Sequence, residues 1–279
     1  MPVCNEYRDK LLVYHHTVDQ IPDPGFFKMH CHERYEILVV LSGKGFFCAE
    51  GRKYPLGKGR IYISRPGETH GIQISADEPY ERVAYHFSPE LLSGKPRFLT
   101  DPFDKRAVGC NNEYSVKLVG QSAHMLTTIP DNVKDSLLQT YLLARLATFL
   151  CDFSQMKAEF SPSAPAVLPS DKLGAAIDYI NVHVCDPLTL PELARAAGLS
   201  SSQLCRLFKS RLGTTVHEYI LGKKAVAARQ MLIDGVEPAE VAKKCGFGSY
   251  TAFYRTYYDK FGVSPTGVSI KKKNGGQDE

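Results

Sequence analysis

The most constraining feature of this 279-residue chain is a helical pattern that occurs twice in its last hundred residues. In the first copy, Thr189 with a Glu three residues later predicts the capped start of a short helix. Gly198 predicts the left-handed turn that ends this helix, and Ser200 with Gln203 predicts the capped start of a second one. Residues 189–211 therefore have the layout of a helix-turn-helix unit.

The second copy spans residues 237–261 and keeps the interior Ala and the terminal Gly-apolar pair of the first. Its second helix, predicted at 249–261, corresponds to the one at 201–212. Residues 215–234 join the copies as one long predicted helix of roughly 30 Å, at about 1.5 Å per residue. Successive major-groove entries on one face of a duplex are about 34–36 Å apart. One chain could therefore read two adjacent grooves.

Positive charge is concentrated in the same part of the chain. Residues 171–273 contain 15 Lys and Arg against 9 Asp and Glu, whereas residues 1–160 contain 19 of each kind. This asymmetry is expected when one domain meets a polyanion and the other does not. Charge alone would favour a merely solvated basic surface.

Four segments of this region carry a family resemblance, namely 188–200 (LTLPELARAAGLS), 204–209 (LCRLFK), 241–248 (VAKKCGFG) and 261–265 (FGVSP). Together they resemble the AraC/XylS family of bacterial transcription regulators. The resemblance implies sequence-specific binding to double-stranded DNA upstream of promoters, with RNA polymerase as a partner if the protein is an activator. It also implies a groove-facing set of nine residues: Ser202, Gln203, Arg206, Lys209, Ser249, Tyr250, Thr251, Tyr254 and Arg255.

Three positions depart from that family pattern. Gly248 stands where the family usually has an N-cap Ser, so we expect backbone freedom there without a side-chain acceptor. Ala225 and Ala227 stand where relatives often carry Leu and Arg, which puts the packing and one phosphate contact of the connecting helix in question.

The first 87 residues consist of short extended runs separated by Gly and Pro. The predicted strands begin near Leu11, Glu36, Gly45, Arg60 and Gly71, and a last one covers 82–87. Many short strands at this spacing predict a sandwich or a small barrel.

A cluster of chemically active side chains lies within this part of the chain. Residues 30, 32 and 36 share parity, so in an extended strand the side chains of His30, His32 and Glu36 leave the same face. A later hairpin would bring His70 as a fourth group. The sequence therefore predicts four potential ligands in one space.

The spacing His30-x-His32-x3-Glu36-x6-Gly43 resembles the cupin metal motif and implies a cupin barrel. Imidazoles with a carboxylate suit Fe, Mn, Ni or Zn, so a divalent metal is one candidate occupant. The same groups could instead hydrogen-bond a sugar or another small-molecule effector, or form a structural polar cluster. Five residues could line the pocket, although aromatic residues in a small barrel are more often plain core: Tyr35, Phe46, Tyr62, Tyr85 and His86.

Between residues 112 and 153 the apolar spacing becomes that of an amphipathic helix. Such a wide apolar arc would contact either the barrel alone or the barrel and a second subunit of a homodimer, and both interpretations stay open. The first stripe comprises Leu138, Leu142, Leu146, Phe149 and Phe153, and the second Leu137, Tyr141 and Ala144.

The predicted organisation follows from these segments. A cupin-like effector-binding barrel (1–110) precedes a helical dimerisation segment (111–158) and a proline-rich linker (159–170). An AraC-type DNA-binding domain (171–270) and a disordered tail (271–279) follow. The fold class is multidomain α+β, with a β-barrel plus helices first and an all-α domain of two helix-turn-helix units second.

Other features exclude several classes of protein. Eight scattered cysteines without a C-x-x-C pair predict reduced thiols, with neither disulfides nor a cysteine-held zinc. No apolar run reaches the roughly 18 residues of a membrane span, and the charged start is unlike a signal peptide. We therefore expect a cytoplasmic protein without a membrane partner.

The leading hypothesis is a ligand-responsive transcription factor with no catalytic residues. The alternative is a metal-dependent cupin enzyme, an oxygenase or isomerase, with an appended DNA-binding domain. A third is an architectural DNA-binding protein without an effector. Other enzyme classes have no support, because the sequence contains no Gly-rich phosphate loop, nucleophile elbow or His-Glu-x-x-His helix.

Overall fold

A computed structural model of the chain describes residues 3–23, 29–106, 111–129, 133–156 and 172–267. The chain divides into two compact units, Met1–Pro169 and Ser170–Glu279. The predicted linker at 159–170 and the predicted tail at 271–279 lie outside the described residues. Within the described ranges, no helix combines the length and the apolar character that crossing a bilayer requires.

The described strands of the first unit form two antiparallel sheets. The larger sheet has the order β1-β2-β8-β3-β6-β9, and the smaller has the order β5-β4-β7. The strands are β1 (Val3–Arg8), β2 (Leu12–Asp19), β3 (Tyr35–Ser42), β4 (Gly45–Ala49), β5 (Arg52–Pro55), β6 (Arg60–Ser64), β7 (His70–Ile74), β8 (Tyr80–Phe87) and β9 (Glu113–Ser115).

Strand β3 is covered on both faces, which explains its nearly continuous apolar sequence. Leu38 and Val40 point into a core shared by the two sheets, whereas Ile37 and Val39 point into a second core on the other face. Because side chains alternate along a strand, Glu36 belongs to the inner face with Leu38. The fold therefore places a carboxylate between the two sheets.

The second core of this unit is formed against helices. These are α1 (Asp101–Asp104), α2 (Val116–Val119), α3 (Gln121–Met125) and α4 (Asp135–Gln155). The predicted first stripe of α4 is confirmed, since Leu142, Leu146, Phe149 and Phe153 are all buried and Leu138 packs beside them. On the second predicted stripe, Leu137 and Tyr141 remain 48% and 41% exposed.

Three strands were not foreseen. β1 and β5 lie outside the predicted runs, and β9 lies inside the segment predicted to be helical. Pro55 ends β5, which is an edge strand and so tolerates a residue without a backbone donor. β9 adds to the edge of the larger sheet by pairing with β6.

The described part of the second unit consists of six helices. They are α5 (Lys172–Val182), α6 (Leu190–Ala196), α7 (Ser201–Leu212), α8 (Val216–Ile233), α9 (Pro238–Lys244) and α10 (Tyr250–Phe261). Capping boxes start α6, α7 and α8, with Thr189, Ser200 and Thr215 as the N-cap residues. These local signals explain why the helix starts were predictable from the sequence.

The long helix α8 runs between two helix pairs, α6 with α7 and α9 with α10. Near its start the ring of Tyr219 meets Phe208 of α7 edge to face, with centroids 5.4 Å apart. Near its end Ala228 and Leu232 share a core with Phe253 and Tyr257 of α10. One rigid element therefore supports both pairs.

The expectation for Gly248 was wrong. The N-cap of α10 is Ser249, whose Oγ accepts a hydrogen bond from the backbone N–H of Ala252 at 3.1 Å. The second pair has one more residue in its turn than the first, so the cap moves one position along the chain. The helix start therefore keeps its side-chain acceptor.

Candidate functional sites

A single carboxylate oxygen of the first unit is surrounded by imidazoles. Glu36 Oε2 lies 3.0 Å from His32 Nε2, 2.7 Å from His70 Nε2 and 3.2 Å from His86 Nε2. The predicted ligands do converge, because the donor atoms of His30, His32, Glu36 and His70 all lie within 4.8 Å of one another. We call these five residues the Glu36 cluster.

The structural cause of this convergence differs from the one predicted. Residues 31–34 are not a strand, so shared parity does not explain the convergence. Instead His30 and His70 form an isolated backbone bridge, with N–H to O distances of 2.8 and 2.9 Å. His86 is the residue directly opposite Glu36 on β8.

Hydrogen bonds fix the protonation of two cluster histidines. His70 Nδ1 donates to the carbonyl of Glu68 at 2.8 Å, so its Nε2 contacts Glu36 as a second N–H donor. The N–H of Arg34 donates to His32 Nδ1 at 3.3 Å, which leaves the proton of a neutral His32 on the Nε2 that faces Glu36. Both rings thus direct an N–H at the carboxylate.

The pKa shifts agree with this arrangement. Burial lowers the pKa of His32 to about 4, against the opposing effect of Glu36. Burial also acts to lower the pKa of His70, but the Glu36 carboxylate outweighs it and the net shift is upward. Although burial alone would raise it, the pKa of Glu36 is held well below its usual value by His86 and His70. Glu36 is therefore ionised at neutral pH.

A buried polar network holds the turn that leads into β7. Glu68 is ion-paired with Arg106, and both side chains are almost completely buried. Asn112 Nδ2 donates to Glu68 Oε2 at 3.1 Å and to the carbonyl of Ile63 at 2.8 Å. The Glu68 carbonyl accepts a hydrogen bond from the Nδ1–H of His70. The network therefore also orients His70, a member of the Glu36 cluster.

The four aromatic residues predicted as a possible lining do not all lie on the face that carries Glu36. Tyr62 lies in the core between the sheets, where it stacks on Phe47 with ring centroids 4.8 Å apart. Tyr35 and Tyr85 belong to the opposite core, and Phe46 is 39% exposed. The alternation of side chains along each strand puts these three away from Glu36.

In the second unit all nine residues of the predicted groove-facing set are exposed. Two of them also serve as caps, since Gln203 Oε1 accepts from the N–H of Ser200 at 2.9 Å and Ser249 caps α10. Arg206 and Arg255 each occupy the sixth position of a 12-residue helix. The two helices thus present an arginine at equivalent places.

The exposed surfaces of α7 and α10 differ in chemistry. Arg206, Lys209 and Arg211 of α7 line an open groove together with Lys172 at the start of α5. α10 instead exposes Tyr250, Tyr254 and Tyr258, of which the last two are stacked with centroids 6.2 Å apart. One surface is cationic and the other is aromatic.

Sequence reasoning missed His86 as a direct contact of Glu36, and also Arg106 and Asn112. The signal for His86 was weak, because its place opposite Glu36 depends on the β3–β8 register. No sequence signal linked Glu68 to Arg106 and Asn112, which are 38 and 44 residues away.

Two family models match the chain. The AraC-like ligand binding domain matches residues 18–146, and the helix-turn-helix domain matches residues 193–269. The probable transcriptional regulator LumQ of Photobacterium leiognathi is 37% identical over 85% of this chain and 90% of its own length. The uncharacterized HTH-type transcriptional regulator YfiF of Bacillus subtilis is 26% identical over 85% of this chain and 77% of its own length.

Among solved structures, an AraC-type transcriptional regulator from Chromobacterium violaceum is similar to part of the chain. It is 31% identical, covers 38% of this chain and 95% of its own, and has a TM-score of 0.35.

Proposed function

Because the chain belongs to the AraC family of transcriptional regulators, we propose that it binds promoter DNA through α7 and α10 and responds to a small molecule held at the Glu36 cluster. The observation that carries this proposal is the pair of capped helices with arginines at equivalent exposed positions, supported by one long helix. Arginine at such a place suits bidentate hydrogen bonding to guanine or contact with a phosphate.

DNA binding is tested with the full-length protein and a fluorescent duplex from upstream of its own gene. We expect tighter binding to this duplex than to a scrambled duplex of equal length, typically by 10³-fold or more. Equal affinity for both duplexes over a range of salt concentrations would contradict sequence-specific recognition.

For the effector, the Glu36 cluster offers one ionised acceptor and several imidazole groups between the sheets. These groups can hydrogen-bond hydroxyl or carbonyl oxygens, so we propose a small polar ligand, with carbohydrates as one candidate class. Such a ligand regulates DNA binding only if its affinity differs between the conformation of the protein that binds DNA and the conformation that does not. Isothermal titration with a panel of sugars, repeated with Glu36→Gln, tests the site.

The donor set of the Glu36 cluster also fits a divalent metal. His30, His32, Glu36 and His70 would be the ligands, and the Nδ1–H to carbonyl bond of His70 is the support that metal-bound histidines usually have. Binding would displace the Nε2 protons that now face Glu36, so metal affinity would rise with pH. Elemental analysis of the wild type and of a His30→Ala, His32→Ala double variant tests this.

A regulatory rather than an enzymatic role is the interpretation that we favour. LumQ and YfiF, which both align with most of this chain, are named as transcriptional regulators. A metal-dependent reaction at the cluster is the second candidate function, and the donor set described above is the observation that favours it. Retention of metal at one ion per chain would favour that candidate, whereas effector binding by metal-free protein would favour the first.

We also propose that the chain acts as a homodimer through the outer face of α4. Leu137, Tyr141, Ala144, Thr148 and Cys151 are all exposed and follow the alternating four-three spacing of a coiled-coil seam. This seam carries no charged residue. The guanidinium of nearby Arg145 is engaged by the carbonyl of Met125 at 2.6 Å.

The sizes of the residues along the seam are distributed as expected for antiparallel packing of two copies. Its large residues, Leu137 and Tyr141, lie near one end, and small residues occupy the middle and the other end. With a two-fold axis between Ala144 and Thr148, Tyr141 of one copy would face Cys151 of the other, and Ala144 would face Thr148. Large residues would then fill the space left by small ones.

Cellular location and polymerase contact follow from the proposed function. A protein that binds promoter DNA works in the bacterial cytoplasm, and RNA polymerase becomes a partner if the protein activates transcription. A reporter fused to the upstream region of its own gene, with and without the chain, distinguishes activation from repression.

A further inference from the structure

Three sulfur atoms meet in the second unit, each from a different element. Cys245 is the fully buried residue directly after α9, and its Sγ lies 3.8 Å from Sδ of Met231 on α8. Cys185, in the loop after α5, is half-buried and packs against the same core. A side-chain hydrogen bond joins its thiol to that of Cys245. We call these three residues the sulfur cluster.

A fixed cation lies next to the two thiols. Lys224 Nζ donates to the carbonyls of Gly246 at 2.8 Å and Asp186 at 3.2 Å, which are the residues directly after Cys245 and Cys185. Burial raises the pKa of the Cys245 thiol to about 12, and the Lys224 ammonium opposes that rise. The ammonium is therefore placed to balance any negative charge that appears on the thiols.

We propose that the sulfur cluster binds a soft monovalent cation, Cu(I) or Ag(I). Thiolate and thioether sulfurs are the ligands that Cu(I) prefers. Two sulfurs that each lie about 2.3 Å from one ion are about 3.8–4.0 Å apart, which matches the separation of Cys245 from Met231. The ion replaces two thiol protons, which pass to solvent, and no electron is transferred.

Charge balance favours a monovalent ion. A monovalent ion with two thiolates has one net negative charge, and the adjacent Lys224 ammonium neutralises it. The thioether of Met231 completes a three-coordinate site without adding charge. A disulfide between the two cysteines would leave the thioether without a role.

Occupation of the site would join three elements that are separate in sequence. These are the loop before α6, the long helix α8 and the turn between α9 and α10. The ion would therefore stabilise the turn that positions α10, whatever DNA the protein recognises.

The test uses reduced full-length protein under anaerobic conditions, titrated with Cu(I) in competition with a chromophoric Cu(I) chelator. We expect one tightly bound ion per chain, with thiolate-to-copper absorption in the ultraviolet. Cys185→Ser should weaken binding by at least 100-fold and Met231→Leu by about tenfold, while far-ultraviolet circular dichroism stays unchanged. Both changes avoid the fully buried Cys245, whose replacement could unfold the second pair.

Two controls separate this site from other ligands. Cys205→Ser removes an exposed thiol on α7, and the His30→Ala, His32→Ala variant removes imidazoles from the Glu36 cluster; both should bind Cu(I) like the wild type. Wild-type affinity in Cys185→Ser or in Met231→Leu would overturn the proposal. Loss of the ion in the histidine variant would also overturn it. So would a mass decrease of two hydrogens that persists after the copper has been removed, because that decrease reports a disulfide.

Discussion

At the scale of single residues, Glu36 shows how one side chain organises a site. Its carboxylate accepts from imidazoles that arrive from β7, from β8 and from the irregular segment before β3. A buried carboxylate is unfavourable unless it is paired and hydrogen-bonded, and these contacts supply both. The cost of leaving Glu36 without its partners explains why the histidines remain close together.

Arg206 and Arg255 give the most direct prediction for DNA binding. We expect Arg206→Ala and Arg255→Ala each to weaken specific binding by about 1–3 kcal/mol if the side chain reads a base. If it contacts only phosphate, the loss should be similar for all sequences and the salt slope should fall by about one. Fluorescence anisotropy at several salt concentrations separates the two outcomes.

The control for these variants is Arg8→Ala, which removes an exposed arginine from β1 in the first unit. Its affinity should equal that of the wild type. If Arg206→Ala and Arg255→Ala also bind like the wild type at every salt concentration, α7 and α10 do not form the DNA surface.

His15 gives a prediction about pH. Burial, together with His86 and Arg82, lowers its pKa to about 4 from an ordinary value near 6.5. Between these values the unfolded chain binds the proton and the folded chain does not, so stability falls as the pH decreases. From pH 7 to pH 5 this histidine should contribute a loss of about 1–2 kcal/mol.

The measurement is the free energy of unfolding from urea titration at pH 7 and pH 5. His15→Gln should lose less stability than the wild type over this interval, because it has no proton to bind. His217→Gln, which changes an exposed histidine on α8, should behave like the wild type. An equal pH dependence in His15→Gln would show that His15 is not the titrating group.

At the scale of elements, the second unit repeats one helix pair with a small difference. α7 and α10 have the same length and end at the left-handed glycines Gly213 and Gly262. The extra residue in the second turn moves the cap from the position of Gly248 to Ser249. Two pairs with nearly the same backbone can therefore carry different surfaces, cationic on α7 and aromatic on α10.

Gly198 and Gly246 provide a matched pair of substitutions in the two turns. Both have a positive φ, at 61° and 64°, so alanine should cost about 1–2 kcal/mol at either place. A Cβ at Gly246 would also lie 2.3 Å from the carbonyl oxygen of Cys185, whereas nothing lies within 4 Å at Gly198. We expect Gly246→Ala to be more destabilising by a further 1–3 kcal/mol, roughly.

Urea unfolding of the full-length variants measures this difference, with Gly198→Ala as the control for strain alone. Equal destabilisation of the two variants would mean that the loop carrying Cys185 does not contact the second turn. It would also weaken the case for the sulfur cluster, because Cys185 and Cys245 would then be apart.

At the scale of the whole molecule, the described residues of the first unit leave one face of α4 uncovered. The inner stripe of α4 is buried against the larger sheet, while the outer seam from Leu137 to Cys151 stays exposed and uncharged. Such an apolar seam on a helix is usually covered by a partner. A second copy of the chain would cover the seam, so no other protein is required.

Ala144→Arg tests the dimer by placing a charge in the middle of the seam. We expect the dissociation constant of the dimer to increase by at least about 100-fold, because a buried and unpaired charge costs several kcal/mol. Sedimentation velocity over a range of concentrations measures it. Ala239→Arg, the same change at an exposed position of α9, should leave the oligomeric state unchanged.

The sequence alone determined most of the second unit. Thr189, Ser200 and Thr215 are caps whose partners lie three residues away, and such local signals are readable without a tertiary structure. The inner stripe of α4 was readable for the same reason. The family of the chain could also be recognised, because its motifs lie in these locally determined helices.

Only the tertiary structure decided the composition of the sites. His86 joined Glu36 through the register of β3 with β8, Arg106 reached Glu68 across 38 residues, and Cys185 met Cys245 because the loop after α5 packs against the core formed by α8, α9 and α10. The shared parity of His30 and Glu36 correctly predicted that the two residues are neighbours. Parity is not the cause, however, because residues 31–34 do not form a strand. Contacts between distant residues depend on strand register and chain closure, which no short window of sequence specifies.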